Sequence, residues 1–273
     1  MENSSKRSVG RGRGWPSDRE RSCAGPTRRS GNGAGAPATR LASVVPLDRR
    51  RKLPGQYEEG ADAAELPARL RNVFWIGGGS GAGKSTIARR LADRHGWRLY
   101  ATDDVMRDHA GRTTPEEAPY LHKFIAMDMD ERWVSRTPEV MLETFHWFQG
   151  EGFGLIVEDL LRLRQEPCVI VEGFRLLPHL VKPLLAAPER AVWLLPTPDF
   201  RQAAFQSRSA PEEGFVWETS DPAKAGRNVA ERDRMFTRRI EEEAERLHLR
   251  TLHVDTTLTE DDLAEQVTSA FGL

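Results

Sequence analysis

A glycine-rich segment, residues 77–86, could hold a phosphate chain: it reads Gly-Gly-Gly-Ser-Gly-Ala-Gly-Lys-Ser-Thr. Glycines let the backbone turn its N–H groups inward around phosphate oxygens. Lys84 can place a charge on the β- and γ-phosphates of a nucleotide, and the Ser85 hydroxyl can bind Mg²⁺. The spacing satisfies the phosphate-binding pattern, so we call residues 78–86 the P-loop. Its predicted ligands are Gly78, Gly79, Ser80, Gly81, Ala82, Gly83, Lys84, Ser85 and Thr86.

Two carboxylates follow the second apolar run of the chain, in the segment Thr102-Asp103-Asp104. In an open α/β sheet, ligands sit beyond the carboxyl ends of the strands. Asp103 could there accept a proton from a hydroxyl group or help to hold Mg²⁺, and Asp104 could assist it. Arg107 and Arg112 lie nearest to this strand end in the sequence and could contact an acceptor molecule. The alternative is that these residues only cap a helix, which Thr and Asp both do well.

The third apolar run ends in Glu172-Gly173-Phe174-Arg175. Glu172 is predicted to lie on the metal side of the site, together with Ser85. Gly173 would let the backbone pass close to phosphate, and the forked guanidinium of Arg175 would suit an acceptor anion. A solvated loop charge is the alternative for Arg175.

Residues 226–247 show a helical apolar stripe of Val229, Phe236, Ile240, Ala244 and Leu247. Arg227, Arg234 and Arg238 fall on the opposite, solvated face. Arg232 and Asp233 fall among the apolar positions, where an arginine needs an anionic partner. We expect Arg232 to contact a phosphate group. A structural pair between Arg232 and a carboxylate, or an arginine that snorkels to solvent, are the alternatives.

Short apolar runs alternate with amphipathic stretches from Val73 onward, which indicates parallel strands joined by helices. The predicted strands are 73–76, 97–101, 168–171, 191–195 and 251–254. A helix should begin at Gly83 and stop at Gly96, and a last helix should open with Thr259 and Asp262 as a capping box. The predicted fold is α/β, a three-layer α/β/α sandwich around a five-stranded parallel sheet. Its domain spans 66–273, with an acceptor-side cap at 104–166 and a lid region at 208–245.

These motifs resemble the nucleoside, nucleotide and small-molecule kinase branch of P-loop proteins, which includes adenylate, shikimate and gluconate kinases and zeta-toxin kinases. The segment Glu172–Arg175 is similar to the Asp-Gly-Phe-Pro-Arg of adenylate kinases, one residue shorter and with Glu for Asp. Val254-Asp255-Thr256 resembles the loop beside adenine, which implies a nucleotide contact for Asp255. The resemblance implies a lid whose arginines close over the transferring phosphate, and catalytic roles for Lys84, Asp103 and Arg232.

Charge is uneven along the chain. Residues 1–60 hold 13 Lys and Arg against six Asp and Glu, whereas the whole chain is balanced at 40 against 41. Residues 1–65 are rich in Gly, Ser, Arg and Pro without periodicity, so a disordered basic extension is predicted. Nucleic-acid binding by this tail is the alternative, and we do not expect it. Absent membrane spans and an absent apolar leader indicate a cytoplasmic protein.

Together the motifs predict an ATP- and Mg²⁺-dependent phosphotransferase that acts on a hydroxyl or phosphate group of a small molecule. Guanine-reading, transporter-type and motor-type ATPase motifs are missing from the sequence. A regulatory protein or an ATPase without an acceptor would use the same P-loop, and that alternative stays open. A monomer or a homodimer is expected, and the acceptor itself cannot be read from the residues.

Overall fold

The computed structural model describes residues 61–208 and 214–273. The predicted basic tail, 1–65, therefore lies mostly outside the described residues. Its end is an exception, because helix α1 covers Ala61–Arg69. Leu66 and Leu70 are buried in the core, so organised structure begins ahead of the domain boundary that the sequence indicates.

The centre of the molecule is a five-stranded sheet in which every neighbouring pair is parallel. The strands are β1 Val73–Gly78, β2 Arg98–Ala101, β3 Val169–Glu172, β4 Ala191–Pro196 and β5 Thr251–Val254. Their order across the sheet is β2-β3-β1-β4-β5. The predicted fold class is confirmed, and each predicted strand is found within two residues of its expected ends.

Eleven α-helices surround the sheet within the described residues. After α1 they are α2 Lys84–His95, α3 Met106–Gly111, α4 Pro119–Ala126, α5 Met129–Trp133, α6 Pro138–Thr144, α7 Phe153–Arg162, α8 Pro178–Val181, α9 Pro198–Arg208, α10 Pro222–Arg246 and α11 Glu260–Ala270. Helix α2 ends at Gly96, whose left-handed backbone lets its N–H bond back to Ala92. The capping box of Thr259 and Asp262 at the start of α11 is confirmed.

Apolar side chains on both faces of the sheet make the three layers. On one face, Ile87 and Leu91 of α2 pack with Leu263 and Val267 of α11. On the other face α1, α7 and α10 contribute the buried side chains. Because both faces are covered, the central strands β1, β3 and β4 are buried along their whole length, as expected for a parallel sheet.

The segment between β2 and β3 is the predicted cap, and it carries α3 to α7 and a 3₁₀-helix, His146–Gln149. The aromatic residues Trp147 and Phe148 are buried in the interior. The lid region contains a 3₁₀-helix, Phe215–Glu218, and α10, while residues 209–213 lie outside the described residues. Helix α10 packs against α5 and α6 of the cap. Among the described helices, none combines the length and the apolar character needed to cross a membrane.

Candidate nucleotide and acceptor site

The P-loop connects β1 to α2 with its backbone tied on both sides. The Gly79 N–H donates to the carbonyl of Leu194 in β4 over 3.0 Å. Lys84 is buried, and its Nζ donates to the Gly79 carbonyl over 2.8 Å, which closes the loop on itself. Gly83 precedes α2 in the left-handed conformation and no side chain caps this helix end. The first turn of α2 therefore presents the positive end of the helix dipole without a competing side chain, as an anion site requires.

Two glycines at the start of the P-loop are required by packing as well as by phosphate approach. A Cβ on Gly78 would lie 2.0 Å from the Leu194 carbonyl oxygen, at a φ of +122°. A Cβ on Gly79 would lie 2.4 Å from Oγ1 of Thr237 in α10. The start of the P-loop thus packs between β4 and α10, so a movement of α10 would displace the P-loop.

The parallel register brings the predicted polar residues to one edge of the sheet. Glu172 pairs in register with Ile76 on β1 and with Ala101 on β2. The buried Glu172 therefore lies between the strand that leads into the P-loop and the strand that leads into Asp103. The sheet thus brings both predicted carboxylates and the P-loop to the edge at which ligands bind in open α/β sheets.

The predicted acceptor residues lie on an exposed turn at the end of β2. Asp103, Asp104 and Arg107 are exposed, and the buried Thr102 anchors them because its N–H donates to the Glu172 carbonyl over 2.9 Å. A Cβ on Gly173 would lie 1.8 Å from Thr102 Oγ1. The close approach that requires Gly173 is therefore to Thr102, whereas the sequence suggested an approach to phosphate.

Asp255 follows β5, on the other side of the P-loop strand. Its Oδ1 accepts hydrogen bonds from the Thr257 N–H over 2.8 Å and from the Thr257 hydroxyl over 2.6 Å. These bonds lower the pKa of Asp255. The carboxylate thus holds the turn after β5, and its contact with the nucleotide stays a prediction.

Arg175 is buried, and neither sequence interpretation of it, an open acceptor ligand or a solvated loop charge, anticipated this. Arg175 is 1% exposed, and its guanidinium carbon lies 4.0 Å from the centroid of the Trp147 ring. Nη1 donates to the Thr102 carbonyl over 3.3 Å and Nη2 to the Gly152 carbonyl over 3.2 Å. The loop after β3 turns inward, so Arg175 ties the carbonyl just before Asp103 to the cap instead of facing outward.

A chain of polar contacts continues from Arg175 into the cap. Its Nη2 lies 3.0 Å from Nδ1 of His109, and Nε2 of His109 lies 2.8 Å from Asp159. Because a guanidinium can only donate, Nδ1 must accept and Nε2 must carry the proton. Asp159 also accepts from the Tyr100 hydroxyl over 2.8 Å and from Arg112 over 2.9 Å. Arg112 is thereby engaged in the network instead of facing an acceptor.

Burial and hydrogen bonding compete in setting the pKa values of this network. Burial lowers the pKa of Arg175 to about 10, and it also lowers the pKa of His109 although the hydrogen bond to Asp159 opposes that shift. For Asp159, burial alone would raise the pKa, but the bonds from His109, Arg112 and Tyr100 outweigh it and the pKa is lowered. At neutral pH the chain therefore holds a charged arginine, a neutral histidine and a charged aspartate.

Helix α10 has the two faces that the sequence predicts. Val229, Phe236, Ile240 and Ala244 are buried, and Arg227, Arg234 and Arg238 are exposed. Arg232 and Asp233 are buried on the apolar face.

Arg232 adopts one of the alternatives that the sequence left open, the ion pair. Its Nε and Nη2 donate to Asp233 Oδ1 over 2.8 and 2.6 Å. Its guanidinium lies 5.3 Å from the Trp133 ring, 4.8 Å from Phe145 and 5.3 Å from Phe148. The adjacent carboxylate supplies the partner that a buried arginine needs, and its contact with phosphate stays a prediction.

Sequence reasoning missed Arg201, which lies on α9 directly after β4. A Cβ on Gly81 would come within 3.3 Å of Arg201 Cγ, so this side chain packs on the crest of the P-loop. Its guanidinium donates to the carbonyl of Ala230 in α10. Burial lowers the pKa of Arg201, and the charge of Asp233 opposes that shift. The available signal was its position, five residues past a strand end that faces the P-loop.

A family model for the AAA domain matches residues 73–225. The chain belongs to the AAA domain family. The match runs from β1 through the P-loop and the cap to the first turns of α10. It therefore includes every part of the site except the later turns of α10 and the loop after β5. The predicted resemblance to P-loop kinases is confirmed for the family and the fold.

Similar folds occur among solved structures. An uncharacterized protein from Eubacterium ventriosum is 14% identical over 73% of this AAA domain chain and 97% of its own, with a TM-score of 0.39. A gluconokinase from Sinorhizobium meliloti is 16% identical over 74% and 92%, with a TM-score of 0.37. A deoxyadenosine kinase from M. mycoides, solved with bound dATP, is 13% identical over 74% and 100%, with a TM-score of 0.40. No curated protein sequence matches the chain.

Proposed function

We propose that this AAA domain protein is a kinase that transfers the γ-phosphate of ATP, as its Mg²⁺ complex, to a hydroxyl or phosphate group of a small molecule. One observation carries the proposal. The P-loop, Glu172 and Asp103 lie on three adjacent strands at the same edge of the sheet, in the order Asp103, Glu172, P-loop. A site that only bound a nucleotide would not need an exposed carboxylate on the far side of Glu172.

The nucleotide half of the site supports the proposal through its donors. Lys84 neutralises the β- and γ-phosphates, and the backbone of residues 78–86 cradles them. Ser85 and Glu172 would hold Mg²⁺, and both offer the oxygen ligands that this hard cation prefers. Among residues 61–208 and 214–273, no group of three or more His, Cys, Asp or Glu could hold a metal. Two protein oxygens suit Mg²⁺, which takes its remaining ligands from phosphates and water.

The acceptor half depends on Asp103. Its carboxylate orients the acceptor hydroxyl and accepts its proton as the new bond to phosphorus forms. Asp104 and Arg107 flank it on the same exposed turn and would bind the rest of the acceptor. Arg175 supports this turn from below through the Thr102 carbonyl.

Two arginines are candidates for the charge that develops on the transferring phosphoryl group. Arg201 packs on the P-loop itself and needs only to release the Ala230 carbonyl. Arg232 would have to leave Asp233, so its contact with phosphate requires a rearrangement of α10. The two arginines are compared by replacing each with alanine and measuring turnover and nucleotide affinity separately.

A coupled assay of ADP release, with and without a panel of hydroxylated metabolites, tests the proposal on the full-length chain. We expect release to depend on the acceptor, to vanish in Lys84→Ala, and to fall about 10²- to 10⁴-fold in Asp103→Asn with little change in nucleotide affinity. Asp108→Asn is the matched control, because Asp108 is an exposed carboxylate of the neighbouring helix. Release that ignores every acceptor would favour an ATPase or a regulatory protein, and full turnover in Asp103→Asn would refute the role of Asp103.

A further inference from the structure

Buried polar atoms without partners are concentrated between the cap and the lid. Among the described residues, five buried side-chain nitrogens have no hydrogen-bond partner: Trp75 Nε1, Trp133 Nε1, His146 Nδ1, Arg175 Nε and Arg232 Nη1. Three of them, on Trp133, His146 and Arg232, belong to one group of side chains from α5, the 3₁₀-helix after α6, and α10. An unmade hydrogen bond on a buried group costs about 1–3 kcal/mol, so three together call for an explanation.

Phe145 is the common neighbour of the three residues. Its ring centroid lies 6.4 Å from that of Trp133, 4.6 Å from that of His146 and 4.8 Å from the Arg232 guanidinium carbon. Trp133 is 8% exposed, His146 3% and Arg232 6%. We call Trp133, Phe145, His146 and Arg232 the aromatic–arginine cluster.

The chemistry of the cluster favours a ligand that accepts hydrogen bonds. An indole N–H and a guanidinium N–H can only donate, and Nδ1 of a neutral histidine donates in one tautomer. Burial holds the pKa of His146 well below its ordinary value, and four guanidinium groups lower it further. These belong to Arg175, Arg232, Arg132 and Arg136. Asp233 is the carboxylate bonded to Arg232, and it uses the Nε and Nη2 atoms, which leaves Nη1 unpaired.

The cluster lies next to the reacting edge of the sheet. Phe174, which directly follows Gly173 at the end of β3, has its ring 6.4 Å from that of Phe145. On the other side, the carbonyl of Asp233 accepts from the Thr237 hydroxyl, and Thr237 borders the P-loop at Gly79. The cluster is therefore placed between the P-loop and the cap, beside the carboxyl end of β3.

We propose that the aromatic–arginine cluster binds an oxyanion, a carboxylate or a phosphate group, carried by the acceptor. The inference rests on the proposed kinase function and deepens it, because it selects acidic acceptors over neutral sugars and nucleosides. The unpaired N–H groups of Trp133 and Arg232 donate to the anion, and Nδ1 of His146 joins them in its donating tautomer. The surrounding rings exclude water, which strengthens each of these bonds.

Binding of simple anions tests the proposal without knowledge of the acceptor. The full-length protein is saturated with Mg²⁺ and a non-hydrolysable ATP analogue, so that the P-loop is occupied, and titrated with sodium sulfate or sodium acetate against sodium chloride of equal ionic strength. Thermal unfolding should show stabilisation by sulfate, acetate or both, beyond chloride. Because sulfate stabilises folded proteins in general, the part assigned to the cluster is the part that is lost when Trp133 is replaced. The titration is repeated without nucleotide in the Lys84→Ala variant, whose P-loop has lost its lysine. This second titration tests anion binding at the cluster even if the nucleotide analogue does not bind.

Two tryptophan variants supply the matched comparison. Trp133→Phe removes the unpaired N–H and keeps a ring, and we expect about tenfold weaker anion binding, the effect of one hydrogen bond to a charge. Trp75→Phe removes an equally unpaired N–H from the central strand β1, outside the four residues of the aromatic–arginine cluster, and should bind the anion like the wild type. Stabilisation no greater than by chloride, or equal anion binding by both variants and the wild type, would overturn the proposal. Failure of the analogue to bind would instead count against the kinase function.

Discussion

Two buried neutral histidines should make the stability of this AAA domain protein fall in mild acid. Burial lowers the pKa of both His109 and His146 below the ordinary value of 6.5, and that of His146 well below it. In the unfolded chain each histidine takes up a proton near its ordinary pKa, whereas in the folded protein it resists protonation. The unfolded state therefore binds more protons below about pH 6.5, and the free energy of unfolding must fall there as pH falls.

The magnitude for His146 follows from its burial. If a histidine cannot be protonated in the folded state, the free energy of unfolding of the protein falls by up to about 1.4 kcal/mol between about pH 7.5 and 5.5. His109 adds in the same direction, opposed by its bond to Asp159. Carboxylates titrate mainly below this window, so the histidines dominate it.

Urea unfolding of His146→Phe across this pH range tests the reasoning. The variant keeps a ring beside Trp147 and should lose the His146 share of the pH dependence, so its stability curve becomes flatter by up to about 1.4 kcal/mol. Ile156→Val, in the buried face of α7, is the control. It should lower stability by about 1 kcal/mol at every pH without changing the slope. A His146→Phe curve as steep as that of the wild type would refute the inference that His146 is held neutral.

Three further predictions concern packing, the buried network and the lid. Gly78→Ala should cost about 3 kcal/mol in chemical unfolding, since its Cβ meets a β4 carbonyl at 2.0 Å, whereas Gly226→Ala in α10 meets nothing and should stabilise by about 0.5–1 kcal/mol. Asp159→Asn should cost about 2–3 kcal/mol in unfolding free energy at neutral pH because four donors lose a charged acceptor. Since the pKa of Asp159 is lowered, its contribution is present above about pH 4 and is lost as pH falls further. Glu158 is more exposed, so Glu158→Gln should cost under about 1 kcal/mol. Arg201→Ala should lower turnover at least about tenfold more than nucleotide affinity; equal losses in both would show a binding role only.

Local signals made most of the architecture predictable. The central strands β1, β3 and β4 are largely apolar runs because they are buried on both faces. The P-loop is recognisable because its glycines, lysine and serine lie within one short segment. The capping box at Thr259 and the left-handed Gly96 are likewise short-range features. The buried stripe of α10 follows from the helical period alone, and it correctly places Arg232 on the inner face.

The hydrogen-bond and packing partners of a side chain could not be predicted where they lie far from it in the sequence. Arg175 looked available because it follows the end of a strand, yet it bonds to Thr102, directly after β2, and to His109 and Gly152 of the cap. Arg201 belongs to no sequence motif. Only the packing of α9 against Gly81 shows that it lies beside the P-loop.

The sequence by itself determined the family, the order of strands along the chain and the position of the P-loop, because these depend on residues within a few positions of each other. Only the tertiary structure decided which charges are buried and with what they pair. Arg232 carries the same sequence signal whether it faces a phosphate or Asp233, and His146 the same signal whether exposed or enclosed by arginines. Desolvation and Coulomb energies depend on neighbours in space, and those neighbours are brought together only when cap and lid fold over the sheet.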